Sequence, residues 1–225
     1  MNIKVGIVVT THYSNDLRPN GNQLIQNFLN SSSPIKSPHT IYVYDNSSSP
    51  PLNIDHPNVK LTYIKDQTLR GLSGTWNDGA ELAIEDGCDI VLISNDDVEM
   101  NDSVNIFIEM INNHEHNKIS IYGPVSNGIL SGVQRATSPI NTIVELTGNR
   151  NNMVNGFFFG FTKEFYHNFK MKNGRLIDEE NFPWGGNEEE FQLRIWEKGA
   201  RSFVLGHCYL FHHKFRGWKQ LMNKK

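Results

Sequence analysis

The stretch Asp-Ile-Val-Leu-Ile-Ser-Asn-Asp-Asp, residues 89–97, joins an apolar run to an acidic end. The apolar run predicts a strand that is buried on both faces, as in a parallel sheet covered by helices. In open α/β sheets, ligands bind beyond the carboxyl ends of the strands, and Asp96 and Asp97 follow at that end. The stretch therefore predicts the fold class and the edge of the sheet that carries the function.

The segments around this stretch alternate between strand-like and helix-like patterns, which is typical of an α/β domain. Strands are predicted at 3–9, 40–44, 59–64, 89–93 and 119–122, and helices at 22–29, 73–85 and 104–111. Further on, we expect an aromatic strand at 154–161, a helix at 188–198, and short strands at 201–205 and 208–211. Residues 123–152 are rich in Gly, Ser, Asn and Thr and are expected to form a long surface excursion.

Composition limits the class of protein. A length of 225 residues suits a single α/β domain, residues 1–225. The balance of 21 Lys and Arg against 24 Asp and Glu argues against a nucleic-acid-binding protein. Cys88 and Cys208 have no metal-ligand or redox spacing. No window has the ~18 apolar residues of a transmembrane segment, and the apolar start lacks a signal-peptide pattern, so we expect a cytoplasmic protein.

The adjacent carboxylates Asp96 and Asp97 suggest a cation site. Two neighbouring carboxylates repel each other, and a divalent cation is a common reason to place them together. Oxygen ligands suit Mg²⁺ or Mn²⁺, which also bridge diphosphate oxygens. The alternative is a turn, because Asn-Asp-Asp is ordinary turn chemistry and can cap the next helix.

Four motifs between about residues 5 and 213 together resemble the family-two glycosyltransferases of the GT-A fold. The loop after the first strand contains Thr10 and Thr11, as the family's nucleotide loop does. Asp45 begins an Asp-Asn-Ser-Ser element after the second strand, and Asn77 begins Asn-Asp-Gly. The family's Asp-x-Asp motif is similar to residues 95–97, although an asparagine replaces the first aspartate.

This resemblance implies a Rossmann-like, mostly parallel central sheet flanked by helices, with a smaller mixed sheet on the acceptor side. It implies a nucleotide-sugar-binding half at about 1–123 and an acceptor and catalytic half at about 124–225. By the same resemblance, Asp97 is a metal ligand and Asp96 contacts the ribose or the metal. Asp45 also has a role of its own, because a carboxylate can accept the imide N–H of uracil or thymine, and a turn residue in Asp-Asn-Ser-Ser is the alternative. Arg70 can pair with a phosphate, and an exposed arginine without that role is the alternative.

The segment Trp-Gly-Gly-Asn-Glu-Glu-Glu, residues 184–190, is the second informative motif. Asn187 is a good helix N-cap, three glutamates favour the helix dipole, and Glu190 can pair with Arg194 four residues later. These structural roles explain the acidic residues without catalysis. The two glycines before them let a backbone approach a ligand closely.

The same segment is similar to the Trp-Gly-Gly element of inverting GT-A enzymes. That resemblance places Glu188 as the catalytic base, with Glu189 as the fallback. It places the acceptor against Trp184, Gly185 and Gly186.

Two further elements follow the family pattern. His212 matches a histidine about thirteen residues after the glycine that ends the catalytic helix, which implies a contact to the metal or diphosphate. His207 and His213 are the alternatives. The aromatic segment at 155–162, with Phe159 at its centre, resembles a stretch that lines the acceptor side, and a core strand is the alternative.

The sequence thus predicts an inverting glycosyltransferase with Mn²⁺ or Mg²⁺ as cofactor, in glycan biosynthesis. Its donor is a nucleoside diphosphate sugar, with UDP or dTDP preferred, and its acceptor is a carbohydrate or another hydroxyl compound. A non-catalytic carbohydrate- or nucleotide-binding relative is the first alternative, since Asn95 and Asn187 replace carboxylates. A sugar nucleotidyltransferase is the second, although the loop after the first strand lacks a glycine-rich phosphate motif.

Overall fold

The computed structural model describes residues 3–65, 67–127, 129, 132–146 and 152–213. Strands and helices alternate along its first half, as the apolar periodicity predicts. They are β1 (Val5–Thr11), α1 (Gly21–Ser31), β2 (His39–Asn46), β3 (Val59–Ile64), α2 (Gln67–Glu85), β4 (Ile90–Asn95), β5 (Val98–Glu99) and α3 (Ser103–Asn113).

The second half adds strands to the same sheet. After a short 3₁₀ turn (Asn117–Ile119) come β6 (Ser120–Ser126), β7 (Ile143–Leu146), β8 (Phe158–Thr162), α4 (Lys163–Phe169), α5 (Asn187–Trp196) and β9 (Arg201–His212). The strand order is β3-β2-β1-β4-β8-β6-β9-β5, with β7 paired to β9. The first four strands are parallel, and the mixed part expected on the acceptor side continues the same sheet through antiparallel β8.

Helices cover both faces of the sheet, which explains why β1 and β4 are almost entirely buried. On one face, α1 and α3 bury Phe28 and Phe107 against alternate residues of β1. On the other face, α2, α4 and α5 bury Trp76, Phe165 and Phe191. The α/β prediction is confirmed.

Several predicted elements differ from the structure because their pairing is long-range. Residues 123–152 do not all form a surface excursion, since β6 continues to Ser126 and β7 pairs with β9. The two short strands predicted near the end are one continuous strand, β9. Helix α2 contains Gly71 at φ 61°, and its regular part begins after that residue, close to the predicted start. No helix in the described part of the chain is long and apolar enough to cross a bilayer.

Candidate active site

Three of the predicted donor-site motifs meet at one edge of the sheet. Strand β1 lies between β2 and β4, so the chain order reverses on its two sides and opens a crevice at the carboxyl ends. In the register of these strands, Thr11 lies opposite Asp45 and Thr10 lies opposite Asn95. The three motifs that the sequence associates with the nucleotide therefore end side by side.

Asp96 is held by a buried ion pair. Nη1 and Nη2 of Arg18 donate to its two carboxylate oxygens at 2.6 and 2.5 Å, and the Thr11 hydroxyl donates at 2.6 Å. The side chains of Arg18 and Asp96 are 2% and 1% exposed. Burial raises the pKa of Asp96, and the Arg18 guanidinium acts against that rise. Both oxygens predicted to contact the ribose or the metal are thus bound within the protein.

Sequence reasoning did not single out Arg18. It lies in the loop after β1, 78 residues before its partner Asp96, and nothing in the local pattern pairs the two. The loop is closed by backbone hydrogen bonds between Ser14 and Arg18. It is also attached to the loop after β2, because the Ser49 N–H donates to the Tyr13 carbonyl at 2.9 Å. The loop after β1 therefore joins the loop after β2 through Tyr13 and the end of β4 through Arg18.

Asp97 lies against His212, with Oδ1 and Nε2 3.2 Å apart. The pairing of β5 with β9 brings His212 to this position, and the His213 N–H donates to the Asp97 carbonyl. The side chain of His213 faces Glu99 instead, at 2.7 Å, and His207 contacts Asn141. Among the three candidate histidines, the structure brings His212 to the predicted metal ligand.

Asp97 and His212 together could supply two of the ligands of a cation. One carboxylate oxygen of Asp97 and one imidazole nitrogen of His212 converge, and the buried Nδ1 of His212 has no hydrogen-bond partner in the structure. Within the described ranges, no three His, Cys, Asp or Glu side chains are placed so that they could hold a metal ion together. Two protein donors fit a cation that takes its other ligands from a diphosphate and water, as Mg²⁺ commonly does.

Glu188 lies in the first turn of α5 and packs against the backbone of Gly156. A β-carbon at Gly156 would lie 2.0 Å from Oε1 of Glu188, so any side chain there would displace this carboxyl. Burial raises the pKa of Glu188, and a hydrogen bond from the Gly156 backbone opposes the rise. The neighbouring Glu189 and Glu190 are half-buried, and Glu190 pairs with Arg194 as predicted.

The expected N-cap of α5 is wrong. The cap is Gly186, whose φ of 73° is left-handed, and Asn187 is the first helical residue. The Asn187 amide instead donates to the Ser73 hydroxyl at 3.0 Å, which ties α5 to α2. Pairing with a distant helix thus replaces the local cap.

A two-residue segment connects the predicted base with the predicted metal ligands. Gly156 touches Glu188, and the next residue, Phe157, stacks its ring on His212 with centroids 5.1 Å apart. The Phe157 carbonyl also accepts from the Asn95 N–H at 2.8 Å, next to the acidic motif. Glu188 and the Asp97–His212 pair therefore flank the same short stretch of backbone.

The predicted acceptor residues divide into two groups. Gly185 and Gly186 are exposed, and Trp184 is half-buried. Their loop is held to the start of α2, where the Ser73 N–H donates to the Pro183 carbonyl at 3.1 Å. Phe159 is 4% exposed and packs edge-on against Trp76 in the core. Trp184, Gly185 and Gly186 therefore lie at the surface beside α5, whereas Phe159 is part of the core, as the alternative interpretation of its strand predicted.

Asp45 organises the loop after β2. Its two carboxylate oxygens accept the N–H groups of Ser48 at 3.0 Å and Leu52 at 2.8 Å, and its side chain is 0% exposed. A carboxylate has about four acceptor positions, so two remain for a base. Contact with a nucleotide requires this loop to move.

Arg70 and Asn77 have structural partners. Arg70 donates to Asp78 and, at 3.1 Å, to Glu179. The Asn77 amide group donates at 2.8 Å to the Ile177 carbonyl and to Glu179, and its oxygen accepts from the backbone of 176–177. Both residues fasten α2 to the segment that leads into the Trp-Gly-Gly loop.

We expect Asn77→Ala to lower the free energy of unfolding by about 2–3 kcal/mol, because it leaves buried N–H and C=O groups of residues 176–177 without partners. Urea unfolding measures the change. Asn168→Ala is the control, because Asn168 makes a single exposed hydrogen bond to the Lys118 carbonyl. An unchanged unfolding midpoint in Asn77→Ala would contradict the structural role.

Comparison with known proteins gives a fold. No family model and no curated protein matches the chain. Two solved structures resemble it over 96% of its length: GalNAc-T7 with UDP, GalNAc and Mn²⁺ (TM-score 0.64, 13% identity), and S. aureus TarS 1–349 with UDP-GlcNAc (TM-score 0.63, 14% identity). The chain has the GT-A fold. It spans 45% of the GalNAc-T7 chain and 61% of the TarS chain, less than two thirds of each.

Proposed function

We propose that the chain is a glycosyltransferase that moves a sugar from a nucleoside diphosphate sugar to an acceptor hydroxyl. The observation that carries the proposal is the Gly156–Phe157 segment, which contacts Glu188 on one side and His212, the partner of Asp97, on the other. A base and a pair of cation ligands thus flank one point at the ligand-binding edge of a GT-A sheet. Both structural neighbours were crystallised with UDP or a UDP-sugar, which supports this donor class.

In this proposal the donor lies across the ends of β1, β2 and β4. Thr10 and Thr11 line the crevice, and Asp45 reads uracil or thymine once its loop moves, so UDP and dTDP are the preferred nucleotides. Asp97 and His212 would hold Mn²⁺ or Mg²⁺, which supplies charge stabilisation for the leaving diphosphate. The imidazole donor favours Mn²⁺.

The acceptor side is formed by the loop before α5, with the half-buried Trp184 and the exposed Gly185 and Gly186. Glu188 takes the proton of the acceptor hydroxyl as its oxygen bonds to the anomeric carbon. The bond from that carbon to the diphosphate oxygen breaks on the opposite face, and the diphosphate leaves with the bonding electrons. A single displacement of this kind inverts the anomeric configuration. NMR of the product's anomeric proton tests it, and a retained configuration would refute the single displacement.

Ligand-dependent thermal stability tests the donor site. We expect UDP or dTDP with Mn²⁺ to raise the melting temperature by about 5–10 °C, since a ligand at a hundred times its Kd adds ~2.7 kcal/mol. GDP and CDP are measured alongside, each with and without Mn²⁺. The Mn²⁺-dependent part of the shift should disappear in Asp97→Ala.

Asp55→Ala is the matched control, because Asp55 is exposed and lies outside the site. This variant should keep the full shift. A nucleotide shift that survives in Asp97→Ala would remove Asp97 from the donor site. No shift with any nucleotide would favour the non-catalytic binding module, and glycan binding would then be measured.

A further inference from the structure

The backbone that leads into β8 reaches the candidate site without forming a regular strand. Residues 153–157 lie outside the sheet ladder, although Val154, Gly156 and Phe157 are buried. Buried backbone N–H and C=O groups need hydrogen-bond partners, which a neighbouring strand would ordinarily supply. At residues 154 and 155, two glutamine side chains supply partners instead.

Gln192 of α5 binds both backbone groups of Val154. Its Oε1 accepts the Val154 N–H at 2.9 Å, and its Nε2 donates to the Val154 carbonyl at 2.8 Å. The same Nε2 donates to the Glu188 carbonyl, one helical turn earlier, at 3.2 Å. Gln192 is 2% exposed, so these bonds are shielded from water. Its amide therefore takes the place of a neighbouring strand at residue 154.

Gln134 fixes the next residue to a different element. Its Oε1 accepts the Asn155 N–H at 2.7 Å, and its Nε2 donates to the Pro124 carbonyl in β6 at 2.8 Å. This side chain is 0% exposed. The backbone at 154–155 is thus held between α5 and β6 by two buried amides.

The spacing of the contacts on α5 matches their spacing on the segment. Glu188 and Gln192 are four residues apart on one helix, a rise of about 6 Å. Two residues of backbone span at most about 7 Å, which is the reach from Val154 to Gly156. The helix therefore contacts the segment twice, at Val154 through Gln192 and at Gly156 through the Glu188 carboxyl.

We propose that Gln192 is a positioning residue for Glu188. By fixing Val154, it holds the Gly156–Phe157 segment against the Glu188 carboxyl, and this segment also contacts His212. The amide thereby sets the placement of the base relative to the cation ligands. The roles of base and ligand rest on the proposed function, whereas the hydrogen-bonded attachment of α5 to the segment does not.

The contact with Gly156 makes this placement measurable. Burial raises the pKa of Glu188, and the hydrogen bond from the Gly156 backbone opposes that rise. Among the residues that the structure describes, no charged side chain contributes to the shift of this pKa. When Gln192 no longer holds the segment, the hydrogen bond from Gly156 weakens and the pKa of Glu188 rises further. A glutamine that only fills space would leave it unchanged.

NMR of the whole chain carrying Gln192→Leu tests the placement without any substrate. Leucine is close to glutamine in size and makes none of its three hydrogen bonds. We expect the titration midpoint of the Glu188 carboxyl carbon to rise. The Val154 amide should exchange with solvent roughly tenfold faster, because its buried partners are lost. Gln134→Leu should raise the same midpoint, which provides a second variant if the first does not fold.

Asn105→Leu is the matched control. From α3, on the other face of the sheet, the Asn105 amide accepts the Lys36 N–H and donates to the Pro34 carbonyl, both at 2.9 Å. Its loss should leave the Glu188 midpoint unchanged. An unchanged midpoint in both glutamine variants would overturn the proposal. So would a wild-type Val154 amide that exchanges as fast as an exposed one.

Kinetics connect the placement with the reaction. In Gln192→Leu, kcat should fall by about 10–100-fold, because a misplacement of about 1 Å can cost ~10² in rate. The KM for the donor should change little, and the acid limb of the kcat profile should move with the NMR midpoint. An unchanged kcat would overturn the positioning role. A raised midpoint in the variant, with no sugar transfer by the wild type, would count against the proposed function alone.

Discussion

Glu188→Gln should lower kcat for sugar transfer by about 10²–10⁴, because the amide is nearly isosteric with the carboxyl and cannot take the acceptor proton. The environment supports this role, since the carboxyl touches the backbone of Gly156 and burial raises its pKa toward the range of a general base. Initial rates with a UDP-sugar and a saturating acceptor measure the effect. The KM for the donor should change little, because the proposed donor contacts come from other residues, at the ends of β1, β2 and β4.

Two variants on the same helix serve as controls. Glu189→Gln tests the fallback base, and Glu197→Gln changes an exposed glutamate just after α5. Both should retain kcat within about tenfold. A large loss in Glu189→Gln with an active Glu188→Gln would move the base to Glu189. If kcat fell less than tenfold in every variant, neither Glu188 nor Glu189 would be the catalytic base.

Glu188→Gln, which should lower kcat, should raise the free energy of unfolding at neutral pH. The pKa of Glu188 is raised in the folded state, so folding favours the protonated form. The contribution of this group is therefore present at acidic pH and is lost as the pH rises through the folded-state pKa. At neutral pH, Glu188→Gln should be more stable to urea than the wild type, and the difference should shrink toward acidic pH. This trade of stability for reactivity is typical of active sites.

Local pattern was enough to predict most of the parallel half of the sheet. The bounds of β3 are as predicted, and those of β1, β2 and β4 differ by two residues or fewer. Apolar runs and helical spacing act within a few residues, so the sequence carries them directly. Helix α4 was not predicted, because its aromatic residues continue an aromatic strand; Thr162, which accepts the Phe165 N–H, ends that strand and caps the helix.

The candidate site was predictable where strand ends set it and not where side chains pair at long range. The position of Asp97 follows from the end of β4, whereas its contact with His212 depends on pairing between β5 and β9. Asn77 matched a motif, but its partners lie about a hundred residues later, as does Glu179, one of the two partners of Arg70. The buried ion pair at this edge, between Arg18 and Asp96, had no signal in the sequence.

Arg18→Met should destabilise the protein by about 3–5 kcal/mol, because it leaves the buried Asp96 carboxylate with only the Thr11 hydroxyl as a donor. That loss is a large part of the stability of an ordinary domain, about 5–15 kcal/mol. Urea unfolding at neutral pH measures it as a lower midpoint with an unchanged slope. Arg201→Met is the matched control, because Arg201 makes the same two-bond contact with Glu145 at the surface. It should leave the unfolding midpoint almost unchanged, because solvent screens an exposed ion pair.

The double variant Arg18→Met, Asp96→Asn separates the ion pair from packing. Each single change leaves one charge buried alone, whereas the double change removes both charges and keeps an acceptor for Thr11. Its cost should therefore fall short of the sum of the single costs by about 1–3 kcal/mol. Additive costs would mean that the two side chains do not pair in solution. In that case Asp96 would be available to the ribose or the cation. The rise in melting temperature caused by the nucleotide with Mn²⁺ would then depend on Asp96 as well as on Asp97.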